Sequence, residues 1–309
     1  MNESQSTGPE AEAVGAANPK TAPAPFDDLN ADLVLRSVDK VDFYVYRSVL
    51  QLSSSVFASM LSFPQPPSQE ISGCSAAAHN VVDLPDDSDL LYKLLSWVDP
   101  RGALHFSDLQ DAADILILAQ KYDSETVKGR LLAFVCAGRE DYKQNPVALF
   151  ALGRRFNHKE IADFGAKESL RFPVTERSDT PLLDLITGRD HQALMLYFFH
   201  CQRVAKSVVK DWLQWIGTNE FVWRTGWGLH HCSFKPSGGS NYPDWWVQYL
   251  DRIARALWET PSLHALSSIE IFSVTTPAAS CSKCKTVYVQ DLQSFNLKLT
   301  ERLDMMIPR

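Results

Sequence analysis

Two groups of cysteine and histidine have a spacing that could bind a metal. Cys281 and Cys284 form a C-x-x-C pair, and His230, His231 and Cys232 are consecutive earlier in the chain. Structural Zn²⁺ takes four soft or borderline ligands in a tetrahedron. Because alternate residues of an extended segment share a face, His230 fits beside Cys232 better than His231 does. We therefore predict one structural zinc bound by His230, Cys232, Cys281 and Cys284.

Two alternatives to this zinc site stay open. His231 could replace His230, or the cysteines could be free thiols in a surface turn. A C-x-x-C pair also occurs in thioredoxin-like redox proteins, but the strand–helix–strand pattern of those proteins does not surround this pair. A closed, thiolate-rich zinc has no open position for water, so we expect the metal to be structural rather than catalytic.

The sequence contains no recognisable catalytic motif. It has no phosphate-binding glycine loop, no GxSxG and no HExxH, and its 8 histidines have no nucleophile or carboxylate at a diagnostic spacing. We therefore predict that the chain is not an enzyme.

Composition limits the classes of partner. The chain has 309 residues, is 45% hydrophobic and carries a net charge of −7 without a long basic run, which argues against nucleic-acid binding. No apolar stretch approaches the ~20 residues that span a bilayer, and the N-terminus lacks an apolar signal core. We expect an intracellular protein without membrane contact, and the choice between cytoplasm and nucleus stays open.

Apolar periodicity predicts an α+β fold. Residues 1–25 are small, polar and proline-bearing, which predicts a disordered tail, and residues 63–79 predict an inserted surface loop. Residues 31–39 and 41–46 alternate as a hairpin with its turn at Asp39-Lys40, and 80–84 predicts a third strand. A short strand is predicted at 103–106. Helical spacing is predicted for the remaining segments, which are 49–61, 88–98, 107–122 and 123–138.

The region after residue 138 is predicted to be mostly helical. We divide it into a helical extension, 139–217, and a C-terminal region, 218–309, that contains the zinc residues. The stretch "PLLDLITG" predicts a helix ended by Gly188. In the last helix, Leu292, Phe295, Leu299 and Leu303 recur at steps of three and four. This spacing favours the inner face of a terminal helix over a coiled-coil seam.

The order of these elements resembles the BTB (POZ) domain over residues 26–138. The resemblance depends on "DLVL…FYVYRSVLQLSSSVFASML", "VVDLPDDSDLLYKLLSWV" and "DLQDAADILILAQKYDSETVKGRLLAFV". The whole chain also resembles fungal BTB proteins in which a helical region follows the domain. The resemblance implies a small sheet capped by helices, and a domain that associates with proteins rather than performing chemistry.

In this family the first helix packs against its copy in a homodimer. The resemblance therefore implies a dimer interface at Asp32, Arg47, Ser53, Ser54, Phe57 and Met60. An acid flanked by leucines is expected to be partly buried and to need a partner, which the guanidinium of Arg47 can supply. The alternatives are an ordinary core helix and two unrelated surface charges. Tyr46 stands where the family usually has histidine, so any role of an imidazole is lost.

The resemblance favours a protein–protein interaction module, acting as a homodimer, adaptor or scaffold with protein partners that the sequence does not name. One alternative is a substrate adaptor of a cullin-type ubiquitin ligase. Members that bind a cullin tend to carry a hydrophobic-x-acid motif where this chain has Asp111-Ala112-Ala113, so the motif is not reproduced. A second alternative is a zinc-containing DNA-binding regulator, which the absence of a dense basic face after residue 200 argues against.

Overall fold

A small sheet organises the N-terminal part of the chain. The computed structural model describes residues 19–63, 80–177, 179–217, 244–267 and 288–307. Its strands are β1 (Lys20–Thr21), β2 (Leu33–Arg36), β3 (Val41–Val45) and β4 (Asn80–Asp83). They lie in the order β1-β3-β2-β4, with β2 and β3 antiparallel and both outer strands added in parallel.

The predicted hairpin between β2 and β3 is confirmed. Leu35 lies opposite Phe43 and both side chains are buried, as the period-two alternation requires. The chain turns at Asp39 and Lys40, where Lys40 has a positive φ of 62°. Beside the turn, Arg36 donates from Nε to Asp42 Oδ1 across 2.6 Å, so a cross-strand ion pair supports the register.

Five helices accompany this sheet. They are α1 (Arg47–Ser53), α2 (Ser55–Ser62), α3 (Ser88–Val98), α4 (Leu109–Lys121) and α5 (Glu125–Ala137). The helix predicted over 88–98 is confirmed, with the Asp87 side chain accepting from the Asp89 backbone N–H as its N-cap. The strand predicted over 103–106 is wrong, because this segment is irregular and only Phe106 in it is buried.

The predicted tail extends too far along the chain. Lys20 and Thr21 form β1, and Ala22 and Phe26 are buried to 2% and 0% exposure. Backbone pairing with β3 gives this polar segment order that its composition does not reveal. Residues 1–18 and most of the predicted loop, 64–79, lie outside the described residues.

The chain divides into two compact units, residues 1–133 and 134–309, with the division inside α5. In the described part of the second unit, the helices are α6 (Pro146–Arg155), α7 (Lys159–Ser169), α8 (Gly188–Lys210), α9 (Trp212–Trp215), α10 (Asp244–Glu259) and α11 (Tyr288–Met306). Short 3₁₀ helices are Arg139–Tyr142, Val174–Glu176, Pro181–Leu185 and Leu263–Ser267. None of the helices within the described ranges is long and apolar enough to cross a membrane.

One hydrophobic core joins α8, α9, α10 and α11, and a smaller cluster holds Phe150 of α6, Ala162 of α7 and Leu194 of α8. Trp212, Trp246 and Phe295 meet in it, with the Trp246 and Phe295 rings edge to face at 4.7 Å. Leu292, Phe295, Leu299 and Leu303 are at most 2% exposed, which confirms the predicted inner face of the last helix. Residues of the predicted extension 139–217, from Leu170 onwards, and of the described part of 218–309 contribute to this core.

Gly188 begins a helix rather than ending one. The segment Pro181–Leu185 is a single 3₁₀ helix, and α8 starts at Gly188. The Thr187 hydroxyl and the Asp190 carboxylate form a capping box there, each bonding the other's backbone N–H. This reciprocal cap decides the start of α8, so the predicted C-terminal glycine is wrong.

Helices α6 and α7 pack with their backbones close together. A Cβ added at Gly153 would lie 2.4 Å from the Ala162 nitrogen, and one added at Gly165 would lie 2.4 Å from the Phe150 nitrogen. Only glycine permits this separation at both positions.

Candidate functional site

The candidate interaction surface is the outer side of the helical pair α1 and α2, together with Phe63. The inner side of the pair faces the core. Leu50, Phe57 and Leu61 are at most 3% exposed and belong to the core. Leu52 is 87% exposed and Phe63 is 67% exposed. The helical pair is thus anchored by one set of apolar side chains while another set meets solvent.

The start of α1 is held by Asp32. Its carboxylate accepts a hydrogen bond from the Arg47 backbone N–H across 2.8 Å, which satisfies a donor that a helix start leaves free. The Arg47 guanidinium instead donates to the Leu61 carbonyl at 2.8 Å and so connects α1 to the end of α2. Asp32 is exposed rather than partly buried, and among the described residues no ion pair joins it to that guanidinium. The predicted acid–base partnership is therefore a backbone cap.

The consecutive serines between α1 and α2 bond the turn between α4 and α5. The pairs are Ser53 with Ser124, Ser54 with Tyr122, and Ser55 with Asp123. The Ser54 hydroxyl also accepts from the Phe57 backbone N–H at 3.0 Å and caps α2. Ser53 and Ser54 are 9% and 3% exposed, so these two predicted interface serines are internal structural residues instead.

Phe57 is also internal. Its ring, 1% exposed, stacks on the ring of Tyr122, whose hydroxyl donates to the Asp86 carboxylate. Burial and this hydrogen bond raise the pKa of Tyr122, so the phenol stays protonated and remains a donor. Phe57 therefore contributes to the core and cannot serve as the surface contact predicted for it. Of the predicted apolar interface residues, Met60 is the one that keeps partial exposure.

A polar network before α1 was not foreseen from the sequence. The Tyr46 hydroxyl donates to Asp28 at 2.8 Å, and the Arg101 guanidinium lies 5.1 Å from the centre of the Tyr46 ring. Arg101 also donates to both carboxylate oxygens of Asp99, from Nε at 3.0 Å and from Nη2 at 2.8 Å, and this lowers the pKa of Asp99. The Asp28 carboxylate raises the pKa of Tyr46. A phenol thus positions the end of β3 through its bond to Asp28.

The segment 111–113, which the sequence analysis compared with the cullin-associated motif, is buried. Asp111 is 9% exposed, and its carboxylate accepts from Lys93 Nζ at 2.8 Å and from the Ser107 backbone N–H at 2.9 Å. Ala112 and Ala113 are both 0% exposed. These side chains stabilise the start of α4 within their own unit.

The residues of the predicted metal site all lie outside the described residues. They are the predicted ligands His230, Cys232, Cys281 and Cys284, and the alternative His231. Within the described ranges, no group of three or more His, Cys, Asp or Glu side chains is arranged to hold a metal ion. Cys136 and Cys201, the cysteines in those ranges, are buried free thiols. The zinc site stays a prediction from the sequence.

Comparison with known proteins adds no relative. No protein-family model matches the chain, and no curated protein matches it significantly. The functional interpretation therefore depends on the residues and on their geometry.

Proposed function

We propose that this chain is a protein-interaction protein whose first unit is a BTB-type domain that pairs with a second copy through the outer side of α1 and α2. The order of elements supports this proposal. A hairpin leads directly into two short helices, a parallel strand follows, and α3 to α5 complete the unit. This is the arrangement that the resemblance in the sequence implies.

The exposure of Leu52 is the observation that carries the proposal. Single exposed apolar residues are ordinary on protein surfaces. Leu52 differs because it lies in α1, a helix that is fixed on its other side by the buried Leu50. Burying one leucine side chain contributes about 1.5–3 kcal/mol. In a symmetric dimer each such contact occurs twice.

The polar groups at and beneath the surface favour binding over catalysis. Asp32 caps α1, the Arg47 guanidinium bonds a carbonyl, and the Ser54 hydroxyl both donates and accepts. Each of these groups is engaged in holding the helices in place. We infer that the outer side of α1 and α2 offers a partner a complementary shape and an apolar area, and that it offers no reactive groups.

Sedimentation equilibrium of the full chain and of a Leu52→Asp variant tests the proposal. We expect the wild type to dimerise with a dissociation constant of ~1–10 μM, which corresponds to roughly −8 to −7 kcal/mol. Because the substitution places a charge at the centre of the contact, it should weaken dimerisation by at least about tenfold. Leu196→Asp is the matched control, since Leu196 is 59% exposed on α8 in the other unit.

Two outcomes would contradict the dimer. One is a wild type that is monomeric at tens of micromolar. The other is a Leu52→Asp variant that dimerises as strongly as Leu196→Asp. Neither substituted leucine is in a core, so both variants should fold.

The alternative of a cullin adaptor gains no support from Asp111, whose carboxylate is engaged inside its own unit. The alternative of a DNA-binding regulator depends on zinc residues that lie outside the described residues. Affinity capture followed by mass spectrometry would distinguish these alternatives by recovering a cullin or chromatin proteins.

A further inference from the structure

The second unit contains an open groove, which we call the cavity. It measures about 670 Å³ and lies between the end of α7, the 3₁₀ helix Leu263–Ser267 and one face of α11. Pockets that take small ligands are typically about 300–1,000 Å³. Its size therefore suits a small molecule.

One wall of the cavity is apolar. Leu263, Leu266 and Leu297 contribute to it. Leu297 is 63% exposed although it belongs to a helix whose opposite face is fully buried. A ligand with an apolar chain would cover this leucine and would gain free energy in proportion to the area removed from water.

The other wall presents hydrogen-bond donors. Arg171 donates from Nη1 to Glu168 at 2.9 Å, but its Nε is buried and has no acceptor among the described residues. The Asn296 side-chain oxygen accepts from the Tyr249 hydroxyl at 2.5 Å, which leaves the amide N–H groups to donate. The Nε has no surface open to the cavity, so a ligand would meet the N–H groups of Nη1 and Nη2 instead.

The described lining includes two bases and no acid, and the Arg171 guanidinium is already paired with Glu168 beside it. None of the eight described residues that line the cavity is acidic, although the chain has 37 acidic and 30 basic residues. Arg171 and His264 are the ionisable members of the lining, and both are bases. A carboxylate can take two of the available N–H donors at once.

We propose that this cavity binds a small monocarboxylate with an apolar chain. Its carboxylate accepts hydrogen bonds from Arg171 and Asn296, and its chain lies on Leu263 and Leu297. The site requires no second copy of the chain, so this proposal can be tested independently of the proposed dimer.

The test titrates the full chain with octanoate, 1-octanol and octylamine, and measures binding by calorimetry. Octanoate should bind at least about tenfold more tightly than either uncharged octanol or cationic octylamine. Arg171→Met should reduce octanoate affinity at least about tenfold, because it removes the cationic donors. Leu297→Asp should reduce it by a similar factor, because it places a like charge beside the ligand.

Leu196→Asp serves as the control, because it makes the same change at an exposed leucine that does not line the cavity. This variant should bind octanoate as the wild type does. The proposal is overturned if the wild type does not bind millimolar octanoate, if octanol binds equally well, or if Leu297→Asp binds octanoate like the control. Leu297 is exposed, so this last comparison holds even where Arg171→Met fails to fold.

Discussion

The ring of Phe57 lies flat against the ring of Tyr122, with centroids 4.6 Å apart and planes 9° from parallel. Phe57 belongs to α2, and Tyr122 is the residue that ends α4. The stack therefore joins the early helices to those that close the unit. The stack fixes Phe57 on the inner side of α2, while Leu52 of the neighbouring helix α1 is 87% exposed.

Ser54 should be the most sensitive of the three consecutive serines. Ser54→Ala removes the cap on α2 and the bond to the Tyr122 carbonyl, and leaves that buried carbonyl without its donor. The free energy of unfolding should fall by about 1–3 kcal/mol in urea melts. Ser59→Ala, an exposed serine of the same helix, should change it by less than about 0.5 kcal/mol. Equal effects of the two variants would contradict the internal role assigned to Ser54.

Gly153 should not tolerate a methyl group. In Gly153→Ala the new Cβ would meet the Ala162 backbone nitrogen, so α6 and α7 would have to separate. We expect a loss of at least about 2 kcal/mol in the free energy of unfolding. Gly188→Ala is the control in the same unit, because no atom lies within 4 Å of its added Cβ. That variant should be neutral or stabilising by up to about 1 kcal/mol, and a comparable loss would refute the close-packing explanation.

Asp99 should contribute stability that depends on pH. The Arg101 guanidinium lowers the pKa of Asp99, so the folded state binds the proton less readily than the unfolded state, whose pKa is about 3.9. The contribution is present above the unfolded pKa and is lost as the pH falls through the lower, folded pKa. Asp99→Asn should therefore lose about 1 kcal/mol at pH 7, because Arg101 is partly exposed.

Urea melts from pH 7 to pH 2.5 check this dependence on Asp99. The difference in unfolding free energy between wild type and Asp99→Asn should narrow at the acidic end. In an Arg101→Met background the same substitution should have a smaller effect, although the backbone N–H of residue 101 still donates to Asp99 Oδ1. A difference that stays constant with pH, or that is undiminished without the Arg101 side chain, would show that the ion pair is not its source.

The zinc predicted from the sequence can be measured directly. Elemental analysis of protein purified without added metal should find about one zinc per chain. Cys281→Ser should abolish this zinc and lower the stability of the second unit, because metal closes a long loop. Cys136→Ser should retain the metal, since Cys136 contacts Glu160 rather than the predicted ligands. The hypothesis would be refuted if the wild type contained no metal and if Cys281→Ser left the melting curve unchanged.

Several elements could be predicted from the sequence because their formation depends on residues that are neighbours along the chain. The alternation of Leu35 and Phe43 on facing strands and the Asp87 cap of α3 are properties of neighbouring residues, and the structure has both. The spacing of Leu292 and Phe295 likewise marked the buried side of the last helix. A periodic pattern identifies the buried face of an element, whatever element covers it.

The prediction failed at Gly188, where a pattern typical of a helix end and a pattern typical of a helix start overlap. Gly188 follows an apolar stretch, as a C-terminal glycine would, but it also follows Thr187 and precedes Asp190. The reciprocal bonds of Thr187 and Asp190 start a helix, and this signal was available in the sequence.

The partners of the polar residues were decided by tertiary structure alone. The serines 53–55 bond residues 122–124, and the hydroxyl of Ser54 reaches a carbonyl 68 residues away. The same holds for Arg101, whose guanidinium meets the Asp28 carboxylate 73 residues away along the chain. Hydrogen bonds are short and directional, so whether a serine or a carboxylate is internal depends on atoms that folding brings within about 3 Å. Composition and spacing along the chain contain no such distances, which is why the sequence placed Ser53, Ser54 and Phe57 on a surface that the fold buries.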